Sequence, residues 1–146
     1  MFVRMTVRMP ADPNNFWPWV HTTQIQYLYH CDEDQQPERK KVIDDFFDAH
    51  STVALAIYES PGFVCHQLFQ DHPNVYSCTV WQEESDFNDF NAYHSAVWTQ
   101  MIDAREEFLA LKNLHVVEPI LFTIDNLVDL DLDVVREKHL QFINNQ

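Results

Sequence analysis

The chain has 146 residues, of which 46% are hydrophobic and 14% aromatic, a composition typical of a single globular domain with a sizeable core. Nine basic and 23 acidic side chains give a formal net charge of −14 at pH 7, which repels phosphate backbones and anionic membranes. We therefore expect neither a nucleic-acid partner nor a membrane partner.

The cysteine and glycine content excludes two further classes of protein. Cys31, Cys65 and Cys78 are too few for a disulfide framework and form no CxxC pair. The N-terminus lacks an apolar run of signal-peptide length, and no segment approaches the ~20 residues of a membrane span. We therefore expect a cytoplasmic protein with reduced thiols. The single glycine, Gly62, argues against the glycine-rich loops of P-loop and dinucleotide-binding proteins.

The N-terminal part predicts two strands that are joined by a loop. Apolar and polar residues alternate from Phe2 to Met9, which indicates a half-exposed strand, such as one at a sheet edge. Prolines and asparagines at 10–15 indicate a loop. The aromatic segment Phe16 to Val20 (FWPWV) predicts either a connection that packs on the core or a lid over a pocket. A second strand is predicted from Thr22 to His30.

The next part predicts a helix followed by a β-hairpin. The helix begins at Pro37 and ends near Glu59, before Pro61 and Gly62. Its apolar face is spaced three and four residues apart and comprises Ile43, Phe46, His50, Val53 and Ile57. The first hairpin strand is Phe63 to Gln70, and a turn at Asp71 and His72 would place Cys65 opposite Cys78.

The second hairpin strand, Asn74 to Trp81, is rich in β-branched and aromatic residues. An amphipathic helix follows to about Leu111, with a break near Tyr93 to Ser95. Its apolar face comprises Phe87, Phe90, His94, Val97 and Met101. A last strand is predicted from His115 to Thr123, and Pro119 inside it indicates an edge strand or a bulge.

The C-terminal part predicts an arm that ends in a helix. Apolar residues alternate with aspartates from Val128 to Val134, which would also suit a strand, whereas Arg136 to Asn144 is helical in pattern. We predict one domain over 1–146, with an N-terminal extension (1–21), a core (22–124) and a C-terminal arm (125–146). The core order of strand, helix, two strands, helix and strand predicts an α+β fold with a ferredoxin-like antiparallel sheet and two long helices on one face.

The junction between the hairpin and the second helix resembles a known family. A helix is followed by Pro61-Gly62-Phe63-Val64, a strand that ends at Val80-Trp81, acidic residues, and Phe87 six positions after the tryptophan. In the order of its elements around this junction, the chain resembles the antibiotic-biosynthesis-monooxygenase superfamily. The resemblance implies a homodimer, a dimeric α+β barrel in which two sheets face each other. It also implies a small-molecule ligand. Members include cofactor-free oxygenases of aromatic polyketides and quinols, haem-degrading enzymes, isomerases and proteins without known activity.

The chain also departs from the pattern of that family. Thr79 stands where a glutamate is frequent, two positions before the junction tryptophan. Phe90 and Gln100 occupy the positions of a second tryptophan and a histidine ligand in the haem-degrading branch, which disfavours haem. We therefore expect no cofactor and no metal at the site.

Three histidines are the candidate chemistry of this fold. If both helices pack on the sheet face that bears His66, its ring would meet those of His50 and His94 in one hollow, where an imidazole can remove a proton from a phenol or quinol. The predicted catalytic residues are His94, His66 and Tyr93. The predicted substrate-binding residues are Trp98, His50, Phe90 and Trp81. Alternatively each histidine is a core residue, Trp81 only fills the strand-to-helix corner, or the three imidazoles bind a metal.

Two functional hypotheses follow. The first is a cofactor-independent monooxygenase that acts on a small aromatic, quinol-like or polyketide-like substrate. The second is a non-catalytic ligand-binding or structural dimer whose pocket is filled by its own side chains. A haem- or metal-binding member of the fold is a third, less favoured possibility.

Overall fold

The computed structural model describes residues 1–10, 37–112 and 114–146. The helices and strands in chain order are β1 (Phe2–Pro10), α1 (Pro37–Tyr58), β2 (Phe63–Asp71), β3 (Asn74–Trp81), α2 (Glu84–Tyr93), α3 (Ser95–Lys112), β4 (Leu114–Val116), β5 (Ile120–Thr123), a 3-10 turn (Leu127–Asp129) and α4 (Leu132–Asn144). The predicted loop after Pro10, the segment Phe16 to Val20 and the predicted strand Thr22 to His30 lie outside the described residues.

The strands form one antiparallel sheet in the order β2-β3-β1, with β4 and β5 end to end along the outer edge of β1. β4 pairs with Arg8 to Pro10, and β5 pairs with Phe2 to Met5. The sheet is therefore four strands wide, and its order is that of the ferredoxin-like fold. The predicted α+β class with helices packed on the sheet is confirmed.

The position of β1 differs from the prediction. β1 pairs with β3 on one side and with β4 and β5 on the other, so it is a central strand. Thr6 and Arg8 are only 4% and 7% exposed. The prediction of a half-exposed strand outside the core was wrong, because the polar residues of β1 face the helices and not the solvent. The ferredoxin-like core begins at β1.

The last strand is interrupted, as Pro119 predicts. β4 ends at Val116 and β5 begins at Ile120, while the N–H of Val117 still donates to the carbonyl of Val7 at 2.9 Å. Both halves lie at the sheet edge, where a residue without an N–H removes no inner ladder hydrogen bond. The prediction of an edge strand is confirmed, and the structure divides this strand into two halves on either side of Pro119.

The hairpin register moves the two cysteines apart. In the β2–β3 pair, Cys65 lies opposite Val80 and Cys78 lies opposite Gln67, and both thiols are free. The prediction that Cys65 faces Cys78 was wrong because the last ladder pair is Asp71 with Asn74, which shifts the register by two residues. The two thiols are thus diagonal neighbours on one face of the sheet.

The helices pack on one face of the sheet through a cluster of apolar side chains. This cluster joins Phe2, Ala49, Val53, Ile57, Trp81, Phe87, Phe90 and Met101. Trp81 is 1% exposed at the corner between β3 and α2. The break predicted near Tyr93 is confirmed, because α2 ends at Tyr93 and α3 begins at Ser95.

The corner between β3 and α2 is held by short-range polar contacts. The backbone N–H of Glu83 donates to Oδ2 of Asp86 at 3.1 Å, which satisfies a free donor at the start of α2. Gly62 accepts from the N–H of Gln82 at 2.7 Å and has a φ of +81°, and a β-carbon at Gly62 would collide with the side chain of Asp86. Only glycine suits this close approach.

The other face of the sheet is covered by the C-terminal arm of the same chain. Its buried residues on β1 and β3 are Val3, Met5, Val7, Tyr76, Cys78 and Val80. Leu130 and Val135 of the arm complete this cluster. The predicted helix at the end of the arm is confirmed, and it begins at Leu132. The alternating segment from Val128 to Val134 is therefore not a strand.

Two polar contacts attach α4 to the hairpin. Arg136 makes a bidentate pair with Asp71 at 2.8 and 2.9 Å, and the hydroxyl of Tyr76 lies 3.3 Å from Nδ1 of His139. In a dimeric barrel a partner's sheet would cover this face, which α4 occupies here. The expected homodimer stays a prediction. None of the helices in the described ranges is both long and apolar enough to span a bilayer.

We predict that Val135→Ala lowers the free energy of unfolding by about 2 kcal/mol, because two buried methyl groups are lost and a cavity remains. Val135 is 0% exposed, whereas Val128 in the same arm is 86% exposed. Val128→Ala is therefore the matched control, with an expected change of less than about 0.5 kcal/mol. Urea unfolding of both variants measures this difference, and equal values would contradict the packing of the arm on the sheet.

Candidate functional site

A cavity of about 90 Å³ lies between the helix-facing side of the sheet and the helices α1 and α3. It is bordered by Tyr58, which is 59% exposed, and by the exposed residue His66, so it opens to solvent at this rim. Its polar lining consists of Arg4, Arg8, Arg105, His50, His66, Thr6, Ser77 and Thr79. Its apolar lining includes Phe46, Val53, Ile57, Trp98 and Met101.

The alternation of β1 explains the polar floor of the cavity. Successive side chains of a strand point to opposite faces, so Arg4, Thr6 and Arg8 face the helices while the valines and Met5 face the arm. The register places Thr79 opposite Arg4 and Ser77 opposite Thr6. Two adjacent strands thus present hydroxyl and guanidinium groups to the same cavity.

The helices provide the roof through residues spaced three, four or seven apart. On α1, the rings of Phe46 and His50 are stacked with centroids 5.6 Å apart. On α3, Trp98, Met101 and Arg105 lie on one helical face because they are separated by three and four residues. The cavity therefore combines an aromatic and aliphatic roof with a polar floor.

The three arginines that line the cavity give it a strong positive charge. They are three of the five arginines in a chain of net charge −14. Burial, followed by the charges of Arg105 and Arg4, lowers the pKa of Arg8 to about 9. Burial and the charge of Arg105 lower the pKa of Arg4 to about 10, against an opposing effect of Glu118. No Asp or Glu is among the described residues that line the cavity.

Two donor atoms in this lining lack an acceptor. Within the described part of the chain, Nε1 of Trp98 and Nε of Arg105 are buried without a hydrogen-bond partner. The guanidinium carbon of Arg4 lies 4.8 Å from the Trp98 ring centroid, within the range of a cation–π contact. Burial lowers the pKa of Arg105, while Glu106 and Glu118 raise it. The cavity can therefore accept a ligand that offers hydrogen-bond acceptors.

Both imidazoles of the cavity favour the neutral form. Burial, then the charge of Arg8 and that of His66, lowers the pKa of His50 to about 4. Partial desolvation and the charge of Arg8 also lower the pKa of His66. Nε2 of His66 lies 2.9 Å from the hydroxyl oxygen of Ser77. A neutral imidazole whose orientation is held by a hydroxyl group can accept a proton from a ligand.

The structure brings together only part of the predicted site. His50, His66 and Trp98 line the cavity, whereas His94, Tyr93 and Phe90 line a separate groove between α2 and the end of α1. The expected meeting of three histidine rings is therefore wrong for His94. The physical reason is the helix break, because His94 caps the end of α2 and its ring lies tilted against that of Phe90, with centroids 4.8 Å apart.

The other predicted site residues do not line the cavity. Tyr93 is 88% exposed. Trp81 and Phe90 are buried against each other with ring centroids 5.4 Å apart, in the cluster that holds the strand-to-helix corner. These two residues support the roof of the cavity, and the ring centroids of Phe90 and Trp98 lie 5.6 Å apart in an edge-to-face contact. Their predicted contact with a substrate stays untested.

Sequence reasoning missed the three arginines. Arg4 and Arg8 alternate with apolar residues, and the same pattern describes a strand with one face in solvent and a strand with one face in a polar cavity. A signal was available in their clustering, since two of the five arginines of an acidic chain lie on one side of one strand. Arg105 also carried a local signal, because it follows Met101 by four residues and therefore continues the predicted apolar face of the helix.

The described residues do not form the hypothetical three-histidine metal site. Two histidines line the cavity and His94 lies elsewhere. In the described ranges, no three His, Cys, Asp or Glu side chains are grouped so that they could bind a metal ion together.

Comparisons with known proteins give a distant structural likeness. No family model matches the chain, and no curated protein matches it. The chain is similar to two crystal structures of SnoaB, a cofactor-independent oxygenase from Streptomyces nogalater, one of a point mutant and one determined to 1.9 Å. Their TM-scores are 0.43 and 0.42, each with 15% identity over 88% of this chain and 98% of that chain. The ferredoxin-like fold itself is established by the strand order and the helix positions described above.

We predict that the protein loses stability as the pH falls from 6.5 to about 4, because folding holds the pKa of His50 at about 4 and the folded state therefore binds fewer protons than the unfolded state. The contribution of His50 is present above its unfolded pKa of 6.5 and is of the order of 1–3 kcal/mol. Thermal unfolding at pH 7 and pH 4.5 measures it. His50→Gln should show a smaller loss, and an unchanged loss would contradict the burial of this imidazole.

We predict that Arg105→Gln raises the free energy of unfolding by roughly 0.5–2 kcal/mol in the absence of ligand, because it removes a buried charge that lies near two other guanidinium groups. Arg136→Gln is the matched control, since Arg136 is paired with Asp71. That control should lower stability or leave it unchanged. Urea unfolding measures both variants, and a clear loss of stability in Arg105→Gln would contradict a net repulsion among the three guanidinium groups of the cavity.

Proposed function

We propose that the chain is a cofactor-independent monooxygenase that oxidises a small aromatic, quinol-like or polyketide-like substrate in the cavity between the sheet and the helices. The observation that carries this proposal is the combination of neutral imidazoles, fixed positive charge and an aromatic wall in one cavity. A substrate that must become an anion before it reacts with dioxygen needs a proton acceptor and a cation beside it.

The aromatic part of the substrate would bind between the apolar roof of the cavity, which the helices form, and its polar floor on the sheet. Trp98 and Phe46 offer ring faces and edges for stacking, and Ile57 and Met101 offer aliphatic contacts. The cavity itself holds about one small ring, and the open rim beside Tyr58 lets further rings of a larger substrate extend outwards. Exclusion of water from this volume strengthens the electrostatic effect of the arginines.

His66 is the proposed base. Its Nε2 is near the hydroxyl of Ser77, and with Nε2–H as donor to that oxygen, Nδ1 is the nitrogen that accepts a proton. Arg8 affects the pKa of both His66 and His50, so its charge reaches the place where the substrate anion would form. The pKa of the substrate falls beside such a cation, which allows a weak base to remove the proton.

The reaction converts a methylene between two conjugated groups into a carbonyl. His66 removes one proton, and the carbanion transfers one electron to dioxygen. The resulting carbon radical and superoxide combine into a peroxide, which takes a proton from the imidazolium. Loss of the second C–H proton with cleavage of the O–O bond forms the carbonyl and releases water. The balance is R₂CH₂ + O₂ → R₂C=O + H₂O, in which dioxygen accepts four electrons.

A binding protein of the same fold is the second candidate function. Desolvation and the charge of Arg8 lower the pKa of His66, which favours it because the proposed base is then a weaker base than an ordinary imidazole. In this alternative the cavity would hold an aromatic ligand without reaction with dioxygen. Both hypotheses predict that the protein binds an aromatic ligand, but only the oxygenase predicts that it consumes oxygen.

We predict that the protein converts a hydroxylated anthrone into the anthraquinone with one dioxygen consumed per molecule, as measured with an oxygen electrode and by absorbance. His66→Ala should reduce the rate at least about 100-fold, the lower range for loss of a general base. His94→Ala is the control, because His94 lies outside the cavity and should leave the rate unchanged.

Two outcomes would contradict the assignment. Absence of enzyme-dependent oxygen consumption would favour the binding protein. A rate that falls in His94→Ala but not in His66→Ala would move the reaction to the groove on α2. With ¹⁸O-labelled dioxygen, one labelled atom should enter the quinone product, which separates oxygenation from simple dehydrogenation.

A further inference from the structure

We propose that the cavity recognises a carboxylate on its ligand, which Arg4 and Arg105 bind beside Trp98. The substrate class would then be an aromatic carboxylic acid. This inference rests on the proposed function, because it assigns a permanent negative charge to the substrate of the same cavity. It differs from the stabilisation of a transient anion in that the charge is present before any reaction.

The first argument is the cost of burying positive charge. Three guanidinium groups line one cavity, and no carboxylate is among the described residues of its lining. Buried charges are normally paired, since a charge without a partner in a low-dielectric interior is destabilising. Glu118 acts on Arg4 and Arg105 but does not line the cavity, so an anionic ligand between these two arginines would add a negative charge inside the cavity and would be bound more tightly for that reason.

The second argument is the presence of buried donors without acceptors. Nε of Arg105 and Nε1 of Trp98 have no hydrogen-bond partner among the described residues, and neither group can act as an acceptor. The ion pair of Arg105 with Glu106 is long, at 3.9 Å, and Glu106 has a side chain that is 67% exposed. Arg8 takes part in other interactions, so the inference uses only its charge.

The third argument is the orientation of Arg4. Its guanidinium carbon lies 4.8 Å from the Trp98 centroid and 6.0 Å from that of Phe87. Aromatic contacts of a guanidinium use its face, while its N–H donors lie in its plane and remain available at the edge. A carboxylate accepts two such N–H groups in a bidentate pair, which is a strong and directional form of hydrogen bond.

The fourth argument distinguishes a carboxylate on an aromatic ring from an inorganic anion. The lining of the same cavity includes Phe46, Val53, Ile57 and Met101, which give no hydrogen bonds through their side chains to an anion. Such a wall favours an apolar body attached to the charged group. With a cavity volume of about 90 Å³, a single ring such as that of benzoate is the appropriate probe.

The test compares benzoate with benzamide, which has a similar shape and no charge. Ligand-observed NMR titrations in oxygen-free buffer should show that benzoate binds at least 10-fold more tightly. Arg105→Gln should weaken benzoate binding at least 10-fold and change benzamide binding less than 2-fold. Lys41→Gln removes the same unit charge from the outer surface of α1, where Lys41 pairs with Asp45 at 2.6 Å, and should change neither.

Equal affinity for benzoate and benzamide would overturn the inference, as would unchanged benzoate binding in Arg105→Gln. Inorganic phosphate serves as a competitor, and tight binding of phosphate that benzoate cannot displace would overturn it in favour of an inorganic anion. Arg105→Lys keeps the charge and loses the planar fork, so its benzoate affinity should be intermediate. Thermal unfolding of each variant identifies any variant that fails to fold.

The outcome does not depend on turnover. Without dioxygen no oxidation occurs, so the binding test is independent of the reaction. Selective benzoate binding together with no oxygen consumption, both with the hydroxylated anthrone and with an anthrone that carries a carboxylate, would refute the monooxygenase and retain the carboxylate site. Conversely, anthrone oxidation with no preference for benzoate would retain the monooxygenase and refute the carboxylate site.

Discussion

The pairing of β1 on both of its edges is the constraint on which the rest of the structure depends. Because β3 and the β4–β5 edge satisfy its backbone groups, the strand is central, and its two faces must both be covered. One face carries only apolar residues and packs against the C-terminal arm. The other carries Arg4, Thr6 and Arg8, which cannot reach bulk solvent freely and therefore create a polar cavity under the helices.

The charged cavity lowers the stability of the fold while it provides groups that can bind a ligand. Three guanidinium groups in one cavity repel one another and lose hydration, which lowers the pKa of each and destabilises the charged folded state. The apolar clusters on both sides of the sheet offset that cost, and the arm contributes one of them through Leu130 and Val135. Retention of a costly charge cluster in an acidic protein is the pattern expected of a binding site.

The structure brings only some of the predicted residues into one cavity, because two different kinds of information were involved. His50 and His66 were placed by helical spacing and by strand alternation, both of which act over short distances along the chain. The predicted face of α2 and α3 does pack on the sheet through Phe87, Phe90 and Met101, but His94 lies in the break between the two helices and lines the groove on α2. A sequence pattern can indicate a break, but it does not show where the side chain within the break points.

The sequence by itself determined the α+β class, the bounds of most helices and strands, the interrupted edge at Pro119 and the helical C-terminal arm, since these follow from periodicity, proline geometry and glycine placement. Only the tertiary structure decided the strand order, the hairpin register and the side of β1 that bears arginines. The physical reason is that these features depend on contacts between residues far apart in the chain. Alternation shows that a strand has two faces, whereas its neighbours in the sheet decide which face meets solvent and which encloses a cavity.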